Sequence, residues 1–350
     1  MMKNILFMLA AVQFFLCASS QVKRYQVAVI GFYNLENLYD TINNPLINDD
    51  DFTPHGVKKY GTAIFKDKLN KLSRVISEIG TAYADNGLSI LGVAEIENDT
   101  VLQFLVQHPV LQKRNYHIVH ASSKDARGVD VALLYNPSYF MPLEAQKLFV
   151  ALPGNSKDER FTRDILYCKG LLHTDTVHIY VSHWPSRRGG QERSDPARMA
   201  AATVCRKHID SIQAKDPVAK LIVMGDMNDD PDDRSIREGL RAKEKTSELK
   251  TGDLFNPWAG WLEKGVGTLA HRDRWGLFDQ IMLSQSWLNK NGPGYHFFRD
   301  HIFNPSYLAE YSGRYKGYPM RTWEGNRYRG GYSDHFPVYM VFLRNVIDYQ

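Results

Sequence analysis

Apolar and polar positions alternate along the chain in short blocks. Runs of branched and aromatic residues bounded by turn-forming residues are typical of β-strands, and an unbroken apolar run is typical of a strand buried on both faces. On this pattern we expect strands at Val27–Phe32, Ile90–Ala94, His117–His120, Val129–Leu134, Ile165–Tyr167, Val177–Ser182, Leu221–Met224, Phe278–Leu283 and Phe336–Phe342.

Two segments show the spacing of amphipathic helices. In Asp67–Ile79 leucines and isoleucines recur at intervals of three and four positions, and Gly80 can end the helix. Ser194–Gln213 opens on a capping serine with a proline two positions later, and its apolar residues fall roughly on one face. Two helices among many short strands predict a layered α/β domain.

Two other segments follow neither pattern. Asn43–Gly61 is rich in Asp, Asn, Pro and Gly, and Asn304–Ser333 is rich in Tyr, Arg and Gly. Long loops in compact enzymes usually serve the site or are disordered. No repeat or composition shift in the sequence marks a second domain. The net charge of +4 over 350 residues permits an anionic substrate without requiring nucleic acid.

The N-terminal end differs from the rest. A lysine precedes the apolar run Ile5–Cys17, and the small residues Ala18–Ser20 follow it. This order is typical of a secretory signal peptide. We therefore expect residues 1–20 to be removed and residues 21–350 to form one domain, exported to a periplasmic or extracellular location. The apolar run is short for a membrane span and the sequence contains no other long apolar stretch, so we expect a soluble protein after cleavage. We also expect a monomer.

The sequence contains three cysteines, which could pair if the protein is exported to an oxidising compartment. Cys17 would leave with the signal peptide, and lipid anchoring there is not expected because Phe15 and Leu16 are bulky just before it. Cys168 and Cys205 lack the CxxC spacing of a zinc site. They could pair in an oxidising compartment, but two separate buried thiols are the expectation.

The most informative stretch runs from Leu221 to Asp229. Its first half is typical of a buried strand, and Gly225 lets the backbone turn or approach a ligand closely. Asp226 and Asn228 then stand at the carboxyl edge of a sheet, where open α/β folds place their chemistry. A carboxylate and an amide at that edge suit a hard divalent cation and a phosphate oxygen.

Polar residues adjoin other apolar runs in the same way. They are Asn34 and Glu36 after the first run, Glu95, Glu97 and Asn98 after the second, His183 after Val177–Ser182, Asp334 and His335 before the last run, and Asp279 inside Phe278–Leu283. Oxygen ligands without cysteine favour Mg²⁺, with Mn²⁺ or Ca²⁺ as alternatives, over zinc. A phosphoester is the natural substrate, since a metal neutralises its oxygens while a base prepares water for in-line attack.

Most of these residues also have plain structural alternatives. Asn34 could cap a turn, Glu95 could be a surface acid, and His183 could be a satisfied histidine at a strand end. The Asp226 segment could form an Asx turn, and Asp334 could begin a simple turn before the last strand. Asp279 is harder to explain in this way, because a carboxylate buried in an apolar strand needs a partner.

Seven segments resemble, in order, the motifs of the endonuclease/exonuclease/phosphatase superfamily, which includes DNase I-like nucleases, inositol polyphosphate phosphatases and bacterial sphingomyelinases. The segments are Tyr33–Leu38, Ala94–Asn98, Gly128–Tyr135, Val181–Pro185, Gly225–Asp229, Phe278–Ile281 and Ser333–Pro337. The resemblance spans nearly the whole chain after the signal peptide. It implies an α/β (α+β) fold, a DNase I-like four-layer sandwich in which two packed mixed β-sheets are flanked by helices.

The resemblance also implies roles for individual residues. Glu95 would be the principal metal carboxylate, assisted by Asn34 and Glu36, with Asp334 as a further carboxylate on the metal side. Asp226 and Asn228 would align the phosphate and the attacking water. His335 would be the general base, oriented by Asp279, and His183 would contact the phosphate or help the leaving group. Asn34 and Arg163 are candidates for contacts with the substrate phosphate.

Three features depart from the family pattern. Ala94 stands where many members have Gln, and the loop Ser186–Gly190 is unusually basic. The insert Tyr311–Tyr332, called the insert below, interleaves arginines and aromatic residues that could contact a phosphate backbone and stacked bases, or could simply cover the sheet edge. Arg163 could face the scissile phosphate or form an ion pair.

The sequence favours a secreted, Mg²⁺-dependent phosphodiesterase, a DNA or RNA endonuclease. A phosphatase or a lipid-headgroup phosphodiesterase of the sphingomyelinase type is the main alternative, and Phe255–Trp261 could supply the exposed aromatic hairpin that membrane contact needs. A calcineurin-like phosphoesterase is disfavoured, because the sequence lacks the required Asn-His pair. A non-catalytic phosphate-binding module is disfavoured because every expected catalytic residue is present.

Overall fold

The protein is described from a computed structural model that covers residues 24–153 and 161–346. The predicted signal peptide and Cys17 lie outside these residues. The strands are β1 (Tyr25–Leu38), β2 (Ile90–Ile96), β3 (His117–His120), β4 (Asp130–Tyr135), β5 (Phe140–Leu148), β6 (Ile165–Leu172), β7 (Asp175–His183), β8 (Lys220–Asp226), β9 (Ala242–Lys243), β10 (Leu254–Phe255), β11 (Leu269–His271), β12 (Arg274–Gly276), β13 (Asp279–Ser284), β14 (His296–Ile302), β15 (Trp323–Glu324), β16 (Arg327–Tyr328) and β17 (Val338–Asn345).

Helices connect and flank these strands. They are α1 (Thr62–Glu78), α2 (Asp99–Val106), α3 (Pro109–Gln112), α4 (Gln191–Gln213) and α5 (Ala259–Glu263), with 3₁₀ turns at Asp50–Phe52, Thr246–Glu248, Gln285–Leu288 and Ser306–Leu308 and a π turn at Ser235–Gly239. In the part of the chain that the structure covers, no helix combines the length and apolar character needed to cross a membrane.

Two large mixed sheets form the centre of the described residues. One has the strand order β14-β17-β1-β2-β4-β3, and the other has the order β5-β6-β7-β8-β13-β10-β9. In the first, β1 pairs parallel with β2 and antiparallel with β17. In the second, β8 pairs parallel with β7 and antiparallel with β13. The expected architecture of two packed mixed sheets with flanking helices is therefore confirmed.

The two sheets pack face to face through one apolar core that includes β1, β2, β8 and β13. Helix α1 adds its apolar face to this core. Helix α4 covers the other face of the second sheet, where Ala202, Cys205 and Ile209 join a separate cluster with Leu221 and Val223. Cys205 and Cys168 are buried and unpaired, as expected.

The largest differences from the sequence pattern occur where a strand is exposed or contains proline. Strands β5 and β14 were not expected, because most of their residues are accessible and show no apolar run. Strand β17 begins at Val338 rather than Phe336, since Pro337 cannot donate a ladder hydrogen bond. Helix α1 begins at Thr62 rather than Asp67, and it carries Phe65 into the core.

The aromatic segment Phe255–Trp261 does not form an exposed hairpin. Trp258 is fully buried, and its indole Nε1 donates a 2.8 Å hydrogen bond to the carbonyl of Ile281. Phe255 is buried in β10. These side chains belong to the core, so the segment offers no support for a membrane-contacting surface.

Close packing of the sheets depends on Gly92 in β2. A Cβ atom at this position would lie 2.7 Å from Met224 Sδ and 3.1 Å from Val181 Cγ1. Both neighbours come from the opposite sheet, and a close-packed interior resists added volume. Gly92 therefore sets how near β2 can approach β7 and β8.

We predict that Gly92→Ala lowers the free energy of unfolding by about 1–3 kcal/mol, because the added methyl overpacks the contact between the sheets. Gly61→Ala is the matched control, since a Cβ there would meet nothing within 4 Å. Denaturant unfolding followed by circular dichroism measures both. Equal stability of the two variants would contradict this account of the sheet contact.

Candidate active site

Strand register places three polar side chains in one row across the second sheet. His183 at the end of β7 is the register partner of Asp226 in β8, and Asp226 is the partner of Asp279 in β13. Paired residues on neighbouring strands point to the same face of a sheet. The ends of β7 and β8 and the start of β13 therefore bring these polar residues side by side.

The first sheet meets this row through Asn34. Its Nδ2 donates a 3.0 Å hydrogen bond to Asp226 Oδ2, although the two residues lie 192 positions apart. The side-chain Oδ1 of Asn34 accepts from the backbone N–H of Glu36. Asn34 lies within β1, which continues to Leu38 rather than ending at Phe32. This amide joins the two sheets at the base of the pocket.

Both expected histidines face the carboxylate of Asp226. His335 Nδ1 donates a 2.7 Å hydrogen bond to Asp279 Oδ2, which confirms the contact predicted from the burial of Asp279. His335 Nε2 lies 3.9 Å from Asp226 Oδ2, and His183 Nε2 lies 3.6 Å from the same oxygen. All four side chains are buried.

The environment shifts the pKa values of the two histidines in opposite directions. Burial lowers the pKa of His183 well below its usual value, and the nearby Arg163 guanidinium adds to this effect. For His335, burial also acts to lower the pKa, but the carboxylates of Asp279 and Asp226 outweigh it and raise the pKa well above its usual value. Burial raises the pKa of Asp226 to about 6, although His335 acts to lower it.

Glu95 extends from β2 beside this row in a strained backbone conformation. Its φ is +59°, in the left-handed region, at an irregularity in the pairing of β2 with β4. Its Oε2 accepts from the backbone N–H of Asn37, and its Oε1 lies 3.8 Å from His183 Nε2. Such strain persists only where the surrounding structure holds it, and it is concentrated at functional sites.

The donors in this pocket fit a hard divalent cation. Glu95 and Asp226 each place a carboxylate oxygen within 3.8 Å of His183 Nε2. Across residues 24–153 and 161–346, no three His, Cys, Asp or Glu side chains form a ready-made metal cage. Mg²⁺ typically uses one or two carboxylates together with water and substrate phosphates, so this donor set is sufficient. Asp334 is partly exposed, and its Oδ1 lies 3.9 Å from His335 Nε2.

Glu36 has a different environment from the one expected for a metal ligand. Its carboxylate accepts backbone hydrogen bonds from Thr322, at 2.6 Å, and from Trp323, at 3.2 Å. Burial raises its pKa to about 7, and Asp334 adds to this effect. Lys68 is also buried and donates to Thr322 Oγ1 at 2.9 Å. Both oxygens of Glu36 therefore hold the insert in place rather than facing Glu95.

Arg163 also differs from the expected position facing the phosphate. Its guanidinium donates to the backbone carbonyls of His183 and Trp184 and to Asp125 Oδ2, at 3.1, 2.6 and 3.0 Å. These bonds engage all three nitrogens. The structure thus ties Arg163 to the backbone of His183 and of the residue that follows it. Asn228 completes this support, since its Nδ2 donates to the Trp184 carbonyl at 2.9 Å.

A buried ion network below the site has no counterpart in the sequence predictions. Arg198 Nε, fully buried in α4, lies 2.6 Å from Asp229 Oδ1. Arg187 Nη2 lies 2.6 Å from Asp233 Oδ2, and its Nε donates to the carbonyl of Asn228. Asn228 has a φ of +49° and donates its backbone N–H to Asp226 Oδ1, so the Asx turn is present. The only sequence signal was the run of acids after Asn228.

Two clefts reach the pocket. The first, called the insert cleft, has a volume of about 340 Å³ and is lined by insert residues including Arg321 and by Asp334 beside His335. The second, called the basic groove, has a volume of about 1400 Å³ and includes Lys124, Arg127, Arg163, Arg188 and Arg193. Arg163 and Arg127, whose charges both act on His183, line the second cleft and place it next to the site. The pocket therefore adjoins two clefts.

Solved structures with the same fold include several from bacteria and animals. An endonuclease/exonuclease/phosphatase family protein from Bacteroides thetaiotaomicron is 14% identical, with a TM-score of 0.54 over 93% of this chain and 100% of that one. D. rerio TDP2 complexed with single strand DNA product is 16% identical, with a TM-score of 0.54 over 90% and 98% of the two chains. A mannosyl-6-phosphatase from Bacteroides thetaiotaomicron is 16% identical, with a TM-score of 0.54 over 90% and 99%.

Sequence comparison extends this result from fold to family. No curated protein matches the sequence. The model of the Endonuclease/Exonuclease/phosphatase family matches residues 29–344, which include nearly all of both sheets and every side chain of the pocket. The chain therefore belongs to the endonuclease/exonuclease/phosphatase family and is a phosphoric-ester hydrolase.

Proposed function

We propose that the protein is an exported, divalent-metal-dependent phosphodiesterase that hydrolyses nucleic acid by in-line attack of an activated water. The observation that carries this proposal is the buried His335–Asp279 pair, whose free nitrogen faces Asp226. An imidazole oriented by a carboxylate is suited to take a proton from water. Export rests on the signal-peptide pattern of residues 1–20.

His335 acts as the general base in this mechanism. The hydrogen bond from Nδ1 to Asp279 leaves Nε2 pointing into the pocket, where it receives the proton of the attacking water. The surrounding carboxylates raise the pKa of His335, so positive charge brought into the pocket favours the neutral imidazole that a base requires. Asp226, held by Asn34 Nδ2 and by the Asn228 backbone, orients the water.

A divalent cation would be held by Glu95, with Asp334 on the same side, and would neutralise the nonbridging phosphate oxygens when bound. His183 stands between Glu95 and Asp226. Because burial keeps its pKa low, His183 is neutral at physiological pH, and it can donate one hydrogen bond to a phosphate or leaving-group oxygen. Arg163 fixes the His183 segment from behind.

A diester rather than a monoester is supported by the two clefts, since a phosphate esterified on both sides needs room on both. Nucleic acid is supported by the likeness to D. rerio TDP2, which was solved with a single strand DNA product. The burial of Trp258 argues against the exposed aromatic hairpin expected for a lipid substrate. Assays with plasmid DNA, RNA, a generic diester and sphingomyelin separate these substrate classes.

We predict that His335→Ala lowers kcat on a generic phosphodiester by at least about 10²-fold, because general-base assistance is lost. His117→Ala, which changes an exposed histidine on β3, leaves kcat unchanged. Steady-state rates with Mg²⁺ give the comparison, and circular dichroism checks the fold. Full activity of His335→Ala would refute the assignment of the base.

Asp279→Asn tests the orienting role separately. The amide keeps the shape of the side chain but no longer fixes the imidazole tautomer, so we expect kcat to fall by about 10³- to 10⁴-fold while KM changes little. Asp232→Asn removes the same charge from an exposed position and should behave as the wild type. A rise in KM at constant kcat for Asp279→Asn would instead indicate a binding role.

Glu95→Gln tests cation binding without relying on turnover. A cation that binds only the folded protein raises the midpoint temperature of unfolding, with a stabilisation of about 2.7 kcal/mol at 100 times its dissociation constant. We expect millimolar Mg²⁺ to stabilise the wild type and the exposed control Glu144→Gln, but not Glu95→Gln. If Mg²⁺ stabilises Glu95→Gln equally, the cation does not depend on this carboxylate.

A further inference from the structure

Exposed cations surround the basic groove beside His183. Lys124, Arg127, Arg188 and Arg193 all line the groove and are all solvent-exposed. Its acidic lining residue, Asp125, is already engaged, since Oδ2 lies 3.0 Å from Arg163 Nη1. The groove therefore carries an excess of positive charge next to a site for phosphate chemistry.

Among the described residues, most of these cations have no acidic partner. Arg127 is the exception, since its Nε lies 3.4 Å from Oδ1 of Asp125, which also pairs with Arg163. Lys124, Arg188 and Arg193 form no ion pair within residues 24–153 and 161–346, although Lys124 lies over the ring of Phe161 at 4.9 Å. An unpaired cation in a concave surface attracts anions more strongly than one that is neutralised by a neighbour.

The insert cleft shows the opposite arrangement. Arg314 pairs with Asp273 at 2.9 Å. Arg321 lies 3.5 Å from Asp334, and Arg329 lies within 4 Å of both Glu310 and Glu324. The lining of the insert cleft is therefore close to neutral, because its arginines are matched in number by acids, and Lys316 and Arg327 of the insert do not line it. Of the two clefts, the basic groove carries the larger excess of positive charge.

The loop that carries Arg188 is held rigidly. Its neighbour Arg187 is fixed by Asp233 and by the carbonyl of Asn228, while Arg188 remains exposed. Arg193 lies in the first turn of α4, and Ser194, Pro196 and Ala197 of the first two turns also line the groove. The positive end of the α4 dipole adds to the attraction for an anion. The backbone from which Arg188 extends is therefore anchored beside the groove.

We propose that the basic groove binds the phosphate backbone of a nucleic-acid strand on the His183 side of the scissile bond. The proposal rests on the proposed nuclease function and narrows the substrate to a polynucleotide that extends several phosphates from the cleaved bond. Arg188, Arg193 and Lys124 neutralise successive phosphates, and Phe161 at the groove wall offers a face on which a base can stack.

The test uses Arg188→Ala/Arg193→Ala against Arg74→Ala/Arg234→Ala. The control removes the same charge from exposed arginines that are paired with acids and line neither cleft. Binding of a labelled single-stranded oligonucleotide is measured by fluorescence anisotropy over a range of salt concentrations, with His335→Ala in every protein to prevent cleavage. Cleavage is measured separately in proteins with intact His335, on the oligonucleotide and on bis(4-nitrophenyl) phosphate.

We expect Arg188→Ala/Arg193→Ala to weaken oligonucleotide binding by about tenfold and to reduce the slope of log affinity against log salt by about 1.4. The ratio of kcat/KM for oligonucleotide to that for the small diester should fall by a similar factor, while the control matches the wild type. Equal binding by the two double variants, or no binding by His335→Ala alone, overturns the groove proposal. Cleavage of the small diester but of no nucleic acid would instead overturn the nuclease function.

Discussion

The hydrogen bond between Asn34 and Asp226 is the contact on which the pocket depends. It joins two sheets that pack mainly through apolar side chains, and it satisfies one oxygen of a carboxylate that is almost completely buried. A buried carboxylate without partners would be costly and would become protonated. Here the Asn34 amide and the Asn228 backbone donate hydrogen bonds to the Asp226 carboxylate, and two imidazoles lie within 4 Å of it. The other residues of the pocket are therefore arranged around Asp226.

Around this carboxylate the protein gives two histidine side chains, which have the same intrinsic chemistry, different pKa values. His335 lies among carboxylates and its pKa is raised, while His183 lies near Arg163 and its pKa is lowered. Divergent environments of this kind allow one residue to exchange protons and another to remain a neutral hydrogen-bond donor. Strand register contributes to this division, because β13 supplies the partner of His335 and β7 places His183 on the other side of Asp226.

The sequence predicted most of the polar residues that lie at the ends of buried strands and form the pocket. Asp279 was identified because a carboxylate in an apolar strand requires a partner, and the structure supplies His335. The interpretation of Glu36 and Arg163 as site residues did not anticipate their contacts. Glu36 binds backbone atoms 286 and 287 positions away, and Arg163 binds carbonyls of another strand end, neither of which leaves a local pattern.

The charge of the insert illustrates the same limit. Its arginines suggested a phosphate surface, but whether an arginine is free depends on acids that approach from other segments, such as Asp273 and Asp334. Exposed strands were missed for a related reason, since β5 has no apolar run to mark it. Sequence patterns thus located the buried strands well. They did not reveal exposed strands or the distant residues with which polar side chains pair.

The two hydrogen bonds by which Glu36 holds the insert affect which substitutions the insert can accept during evolution. The carboxylate recognises main-chain N–H groups of Thr322 and Trp323, which every amino acid except proline possesses. Side chains elsewhere in the insert can therefore be exchanged without loosening this attachment. Related enzymes could acquire new substrate preferences through substitutions in the insert. The hydrogen bonds from the insert backbone to Glu36 of β1 would be kept, and with them the geometry of the catalytic residues.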